Sequence, residues 1–125
     1  MAQILLADDH EVVRSGIKLI LHGHRDWNVC GEAENGQEAV EKVLALRPDL
    51  IVLDLTMPVM SGLQAAIRIR QFAPATKILI LSVHDAPVMQ EVSSLVGAHA
   101  YLRKTASRQE LLATVTALLN NRTGV

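Results

Sequence analysis

Strand and helix patterns alternate five times along this chain of 125 residues. Each short apolar run, of the kind that forms a buried parallel strand, is followed by a segment with apolar residues at helical spacing. Five such units with short connections predict right-handed crossovers and a doubly wound, three-layer α/β sandwich. The predicted strands are 3–7, 28–33, 50–54, 77–82 and 99–102, and the predicted helices are 11–23, 36–46, 62–72, 86–96 and 107–120.

We expect one domain over residues 1–120. A chain of this length can bury roughly two thirds of its unfolded surface. The sequence has one Trp, one Tyr and one Phe, so the core must be built from aliphatic side chains. Ser107, with Glu110 three residues later, predicts a capping box that starts the last helix. Residues 121–125 lose the helical spacing, which predicts a tail or the start of a linker.

Charge and hydropathy argue against several classes of partner. The net charge is −1 and no run is dense in lysine and arginine, so we expect no nucleic acid to bind this segment. No apolar stretch approaches the roughly 18–20 residues that cross a bilayer, and the N-terminus lacks a signal-peptide pattern, so we expect no membrane contact. Cys30 is the one cysteine, which excludes an internal disulfide and favours a reducing cytoplasm.

Three carboxylates stand at the ends of predicted strands. Asp8 and Asp9 follow the first apolar run, and Asp54 ends the third. Ligands of open α/β sheets bind beyond the carboxyl ends of the strands, where the strand order reverses. Carboxylates gathered there repel one another, a cost that a hard, oxygen-seeking cation offsets. The sequence therefore predicts a divalent-metal site in which one carboxylate is placed to do chemistry.

Four short motifs resemble those of the receiver domain of bacterial two-component response regulators. They are the acidic segment 6–10, the segment 54–62 with its aspartate and turn, the hydroxyl-bearing strand end 81–82, and the aromatic and lysine of 101–104. Each motif alone is weak, but their order at successive strand ends is specific, and the resemblance covers essentially the whole chain. It implies a flavodoxin-like sandwich around a five-stranded parallel sheet of order 2-1-3-4-5.

The resemblance implies a phosphoacceptor and a Mg²⁺ site. Asp54 would accept a phosphoryl group and form an aspartyl phosphate. Mg²⁺ would be bound directly by Asp9, Asp54 and the main-chain carbonyl of Thr56, with Asp8 acting largely through water. Two carboxylates and a carbonyl suffice because Mg²⁺ keeps several waters.

The resemblance also implies the residues that hold the phosphoryl group and respond to it. Lys104 would pair with Asp54 before transfer and with the phosphoryl group afterwards. Ser82 would donate its hydroxyl and Val83 its main-chain N–H to phosphoryl oxygens. Tyr101 would turn inward when Ser82 moves toward the new charge.

Taken singly, these residues have plainer interpretations. Asp9 could be a helix cap, Ser82 an ordinary strand-end hydroxyl and Lys104 a surface lysine. Their joint occurrence favours the site. Of the histidines, His84 is a weaker candidate for the mouth of the site, and the others are assigned to the surface or to packing, namely His10, His22, His24 and His99.

A signalling role follows from the resemblance. The donor would be a sensor histidine kinase, a phosphotransfer protein or a small acyl phosphate. Phosphorylation would alter the surface of the fourth helix, fifth strand and fifth helix, with a phosphorylation-dependent homodimer as one outcome. The output would be a LuxR/NarL-type helix-turn-helix domain that controls transcription and is not part of this sequence. The segment would not be an enzyme, beyond phosphotransfer to itself and slow autodephosphorylation.

Two positions depart from the pattern of many receivers, and one of them is Ala100, where a glycine often precedes the aromatic residue. Thr105 follows Lys104 where many have a proline with a cis peptide bond. A cis bond before a residue other than proline costs about 2.5–4 kcal/mol. We therefore expect a trans Lys104–Thr105 peptide.

Three rival functions remain open on the sequence. A Mg²⁺-dependent phosphatase with an aspartyl-phosphate intermediate would commonly carry a second acid where Thr56 stands. An FMN-binding protein would need a Ser/Thr/Gly-rich phosphate loop after the first strand, which this chain lacks. A pseudo-receiver that only docks partners is disfavoured by the set of Asp54, Lys104 and Ser82.

Overall fold

The computed structural model describes residues 1–83 and 87–120. The strands are β1 (Ala2–Ala7), β2 (Trp27–Ala33), β3 (Leu50–Asp54), β4 (Lys77–Ser82) and β5 (Ala100–Arg103), and the helices are α1 (Glu11–His22), α2 (Gly36–Leu46), α3 (Gly62–Phe72), α4 (Pro87–Leu95) and α5 (Arg108–Asn120). Every predicted element is present, and apart from the start of α4 the ends are shifted by at most one residue. Our expectations for His84, for Ala86 as the first residue of the fourth helix, and for the segment 121–125 lie outside the described residues.

The five strands form one parallel sheet in the order β2-β1-β3-β4-β5, which confirms the predicted topology. Helices α1 and α5 pack on one face of the sheet and α2 and α3 on the other. Within the described residues, no helix is both long enough and apolar enough to cross a membrane.

Alternation along the strands divides the core into two layers. In β1, Ile4 and Leu6 face α1 and α5, whereas Leu5 and Ala7 face α2 and α3. Successive strand side chains point to opposite faces, so a strand covered on both faces must be apolar throughout. This is the physical reason why the central strands read as unbroken apolar runs.

Capping boxes start two of the helices, and one of them was predicted from the sequence. Ser107 Oγ accepts a hydrogen bond from the N–H of Glu110 at 3.1 Å, and Glu110 Oε1 accepts one from the N–H of Ser107 at 3.4 Å. The predicted capping box is therefore confirmed. A second box, which we did not predict, joins Ser61 and Gln64 at the start of α3.

Strand register sets the positions of the acidic residues. Ala7 of β1 lies opposite Leu53 of β3. The residues that follow them, Asp8 and Asp54, are therefore level with each other at the carboxyl edge of the sheet. Ser82 is level with Arg103 across β4 and β5, which brings the following Lys104 to the same edge. The order of the sheet thus gathers residues that are far apart in sequence.

Two glycines allow the loop between β3 and α3 to pack closely. A Cβ at Gly62 would overlap the main-chain carbonyl of Asp54, and a Cβ at Gly36 would overlap that of Met60. The N–H groups of Gly62 and Gly36 donate to the carbonyls of Leu55 and Met60 at 2.8 and 3.0 Å. Close backbone approach, rather than helix propensity, therefore explains glycine at the first position of both helices.

We expect Gly62→Ala to lower the free energy of unfolding by about 1–3 kcal/mol or more, because the added methyl must displace backbone next to Asp54. Gly16→Ala is the matched control: Gly16 lies in α1, and beyond its chain neighbours and its own helix backbone an added Cβ would have no atom of the described residues within 4 Å. There the same change should stabilise the helix by roughly 0.5–1 kcal/mol. Urea denaturation of both variants measures the contrast, and two changes of the same sign would contradict the packing argument.

Candidate functional site

Asp8 is held rigidly at the end of β1. It is 3% exposed, and its N–H donates to the carbonyl of Ala33 at 3.0 Å. Its own carbonyl accepts from Arg14 Nη1 at 2.6 Å, and its Oδ1 accepts from the N–H of His10 at 2.8 Å. The remaining carboxylate oxygen, Oδ2, faces Lys104. Main-chain and side-chain bonds together fix the direction of this buried carboxylate.

Lys104 points into the carboxylate cluster, as predicted. Its Nζ lies 2.8 Å from Asp8 Oδ2 and 3.3 Å from Asp54 Oδ2. The nearer partner is therefore Asp8, for which we had predicted mainly water-mediated contact with a metal. The main-chain N–H of Lys104 donates to the carbonyl of Ser82 at 2.7 Å. No peptide bond of the described residues is cis, so the expected trans bond to Thr105 is confirmed.

Asp54 is buried with incomplete compensation of its charge. It is 3% exposed, and its Oδ2 accepts no hydrogen bond from the described residues, although the ammonium of Lys104 is within ion-pair distance. Burial and the neighbouring charge of Asp8 raise the pKa of Asp54 to about 6, against the opposing effects of Lys104 and of the main-chain N–H of Thr56. Among the described residues the Lys104 ammonium is the one cation facing this oxygen, so the negative charge of the site is only partly compensated and a further positive group would be stabilised there.

The lysine keeps its charge at this site. Burial alone would lower the pKa of Lys104, but the hydrogen bond to Asp8 and the negative charges of Asp54 and Asp8 outweigh burial and raise that pKa. One ammonium therefore faces two carboxylates at neutral pH.

Asp9 and His10 form the exposed rim of the cluster. The Nδ1 atom of His10 lies 3.2 Å from Asp8 Oδ1 and 3.2 Å from Asp9 Oδ1. Ligand-type atoms of Asp8, Asp9, His10 and Asp54 all lie within 4.8 Å of one another. His10 is exposed, as expected of a surface histidine, but its part in the cluster was not predicted from the sequence.

The donor set fits a hard divalent cation. Three carboxylates converge, one of them with a buried oxygen that lacks a hydrogen-bond donor among the described residues. Carboxylate oxygens are the ligands that Mg²⁺ prefers, and Mg²⁺ needs only one or two of them beside its waters. The exposed position of Asp9 leaves room for those waters. The predicted cofactor is thus compatible with the residues present.

Of the other predicted site residues, Ser82, Val83 and Thr56 lie at the same edge of the sheet, and Tyr101 lies level with Ile80, two residues before that edge. Ser82 is buried at the end of β4, and Val83 follows it with an exposed side chain. Tyr101 is half-buried on β5 and packs against the core layer beneath α2 and α3. Thr56 is exposed two residues after Asp54. All of these positions agree with the site, while the role of each residue stays a prediction.

Comparison with known proteins decides the family. The model of the response regulator receiver domain matches residues 4–116, which is most of the chain. The chain belongs to the response regulator receiver domain family. Receiver domains are signalling domains, and the match gives no support to the phosphatase alternative.

The relatives of this receiver domain are of the LuxR/NarL type. The transcriptional regulatory protein YdfI of Bacillus subtilis is 39% identical over 119 residues, covering 95% of this chain and 55% of YdfI. The nitrate/nitrite response regulator NarL of Escherichia coli K12 is 39% identical over 113 residues, covering 89% of this chain and 51% of NarL. The chain therefore spans about half the length of these curated relatives.

A solved structure confirms the fold. The two-component response regulator of the LuxR family from Aurantimonas sp. SI85-9A1 superposes with a TM-score of 0.93 at 33% identity, covering 98% of this chain and 87% of that one. The doubly wound sandwich predicted from the strand pattern, with the flavodoxin-like sheet order implied by the family resemblance, is therefore the architecture of this receiver domain.

Arg14 supports the acidic edge of the receiver domain and was not predicted from the sequence. It is 8% exposed, donates to the carbonyl of Asp8, and donates from Nε to Glu32 Oε1 at 2.9 Å. Hydrogen bonds from Arg14 and then Lys18 lower the pKa of Glu32. The available signal was its spacing: Arg14 is three residues before Ile17, on the apolar face of α1.

The raised pKa of Asp54 gives a stability prediction. Because the folded pKa of about 6 exceeds the ordinary 3.8, the folded state binds the proton more tightly, and stability falls as pH rises between about 4 and 6. Asp54→Asn removes this cost. Without divalent ions at about pH 7.5, it should raise the free energy of unfolding by about 1–3 kcal/mol.

That gain should shrink toward zero near pH 4, where wild-type Asp54 is protonated. Asp26→Asn is the control, because Asp26 is an exposed carboxylate outside the cluster. Urea denaturation with EDTA across this pH range measures the difference. A gain for Asp54→Asn that does not vary with pH would contradict the charge argument.

Proposed function

We propose that Asp54 accepts a phosphoryl group from a sensor histidine kinase or phosphotransfer protein, with Mg²⁺ bound at the acidic cluster. The observation that carries the proposal is the Asp54 carboxylate itself. It is buried beside Asp8 and Lys104, its pKa is raised to about 6, and its Oδ2 lacks a hydrogen-bond donor among the described residues. A buried carboxylate whose charge is only partly compensated is both costly to the fold and available to react.

The transfer is a nucleophilic displacement at phosphorus. An oxygen of Asp54 donates an electron pair and forms the new O–P bond, while the P–N bond of a phosphohistidine breaks and its electron pair stays with the imidazole. With acetyl phosphate, the P–O bond breaks and acetate leaves. The catalytic requirement is alignment and compensation of negative charge, because the protein supplies little covalent chemistry beyond the nucleophile.

Mg²⁺ would be held by Asp9 and Asp54, with Asp8 through water and the main-chain carbonyl of Thr56 as the remaining protein contacts. The ion would neutralise negative charge on the phosphoryl oxygens. The proposal is supported by the convergence of the three carboxylates and by the exposed Asp9, which leaves coordination positions open to water.

Lys104 supplies the fixed positive charge. Its Nζ, 3.3 Å from Asp54 Oδ2, can turn toward a phosphoryl oxygen once Asp54 is esterified, while it keeps its contact with Asp8. The Ser82 hydroxyl and the Val83 N–H would donate to the other oxygens. The hydrogen bond between the N–H of Lys104 and the carbonyl of Ser82 links the two phosphate-binding segments.

The signal would pass to the surface of α4, β5 and α5. Movement of Ser82 toward the phosphoryl group would open space for Tyr101, which is half-buried on β5. Phosphorylation acts only through its preference for one of two packings, so this is a population shift. The readout would be homodimerisation or control of a helix-turn-helix domain joined through residues 121–125, in keeping with a relative named as a transcriptional regulatory protein.

Phosphorylation should occur at one site. Incubation with acetyl phosphate and Mg²⁺ should add the mass of one phosphoryl group to the wild type and none to Asp54→Asn, because that amide is not a nucleophile at phosphorus. Intact-mass spectrometry makes the measurement, and Asp26→Asn, which should label normally, is the control. Undiminished labelling of Asp54→Asn would refute the assignment.

Mg²⁺ should stabilise the folded protein by mass action. At a free Mg²⁺ concentration ten times its Kd the gain is about 1.4 kcal/mol, which corresponds to several degrees in Tm. Asp9→Asn should lose most of this response, since it removes a direct ligand and lies at the exposed rim, where the fold does not depend on it. A calorimetric Mg²⁺ titration of Asp9→Asn that matches the wild type would rule out the ligand set.

A further inference from the structure

We propose that His10 is an additional metal ligand, which raises the affinity of the acidic site for divalent transition ions that favour imidazole, such as Co²⁺, Ni²⁺ or Zn²⁺, and changes its affinity for Mg²⁺ little. The inference rests on the proposed metal site and adds a specificity-determining residue to it.

The position of the imidazole carries the inference. His10 Nδ1 is 3.2 Å from an oxygen of Asp8 and 3.2 Å from an oxygen of Asp9. At metal–ligand distances of about 2.0–2.2 Å, neighbouring donors of a tetrahedral or octahedral ion lie roughly 2.8–3.6 Å apart. Both distances fall in this range, so small movements would place all three atoms in one coordination shell.

Asp54 provides the second observation. Its buried Oδ2 has no hydrogen-bond donor among the described residues, and a carboxylate oxygen of Asp54 lies within 4.8 Å of the ligand atoms of Asp8, Asp9 and His10. A cation among these four residues would therefore have both carboxylate oxygens and one imidazole nitrogen within reach.

The His10 side chain has no evident structural task. The main-chain N–H of His10 donates a hydrogen bond to Asp8 Oδ1. The side chain makes no capping hydrogen bond to α1 and is 64% exposed. Among the described residues the ring contacts two carboxylates, and it can exchange those contacts for a metal. Removing the imidazole should therefore leave the fold intact.

Ligand chemistry sets the expected preference. Mg²⁺ is a hard ion that binds oxygen and holds its waters, so one imidazole adds little to its affinity. Later first-row ions bind imidazole well, and each gains from replacing a water by a ring nitrogen. Any such site binds Co²⁺ more tightly than Mg²⁺, so the informative quantity is the change that follows removal of His10.

The test compares Co²⁺ and Mg²⁺ binding to the full chain by calorimetry, with wild type, His10→Gln, Asp9→Asn and His24→Gln. His10→Gln should weaken Co²⁺ on the order of tenfold or more and leave Mg²⁺ within about twofold. Asp9→Asn should weaken both ions. His24→Gln, a histidine outside the cluster, should change neither.

A spectroscopic readout accompanies the calorimetry. In the Co²⁺-loaded wild type, an imidazole bound through Nδ1 should give a paramagnetically shifted proton signal from its exchangeable Nε2–H, and this signal should vanish in His10→Gln. Unchanged Co²⁺ affinity in His10→Gln, or equal losses for both ions, would overturn the role of His10. Absence of Mg²⁺ binding to the wild type would instead overturn the proposed metal site itself.

Discussion

Two carboxylates, Asp8 and Asp54, are brought side by side at the carboxyl edge of the sheet with one ammonium between them. Strand register leaves no alternative, since β1 and β3 are neighbours and both acids end their strands at the same level. The negative charge is only partly offset by Lys104, which is why the pKa of Asp54 rises to about 6. The surrounding loops, with Gly36 and Gly62 at their closest backbone approaches, hold this unfavourable arrangement in place.

The loss of stability caused by burying the charge of Asp54 and the proposed reactivity of Asp54 have the same origin. A carboxylate solvated by water or fully hydrogen-bonded would stabilise the fold but would be a poor nucleophile, whereas Asp54 retains an oxygen without a donor among the described residues. Functional sites commonly lower the stability of the fold in this way.

The fold and the central carboxylates could be predicted because they depend on patterns that are visible within short stretches of the sequence. Unbroken apolar runs reveal strands buried on both faces, and Asp54 stands out because it ends one of them. Arg14 and His10 depend instead on which groups meet in space. Arg14 occupies an apolar helix face by bonding the carbonyl of Asp8, and His10 joins the cluster only because the turn after β1 brings its ring to two carboxylates.

The most direct test of the central claim, that Lys104 compensates a buried charge on Asp54, is a double-mutant cycle. Unfolding free energies would be measured for the wild type, Asp54→Asn, Lys104→Met and the double variant near neutral pH without divalent ions. The account predicts a favourable coupling of about 1 kcal/mol or more between the two side chains. It also predicts that Lys104→Met alone is strongly destabilising, because it leaves two buried carboxylates facing each other. Additive effects of the two substitutions would contradict it.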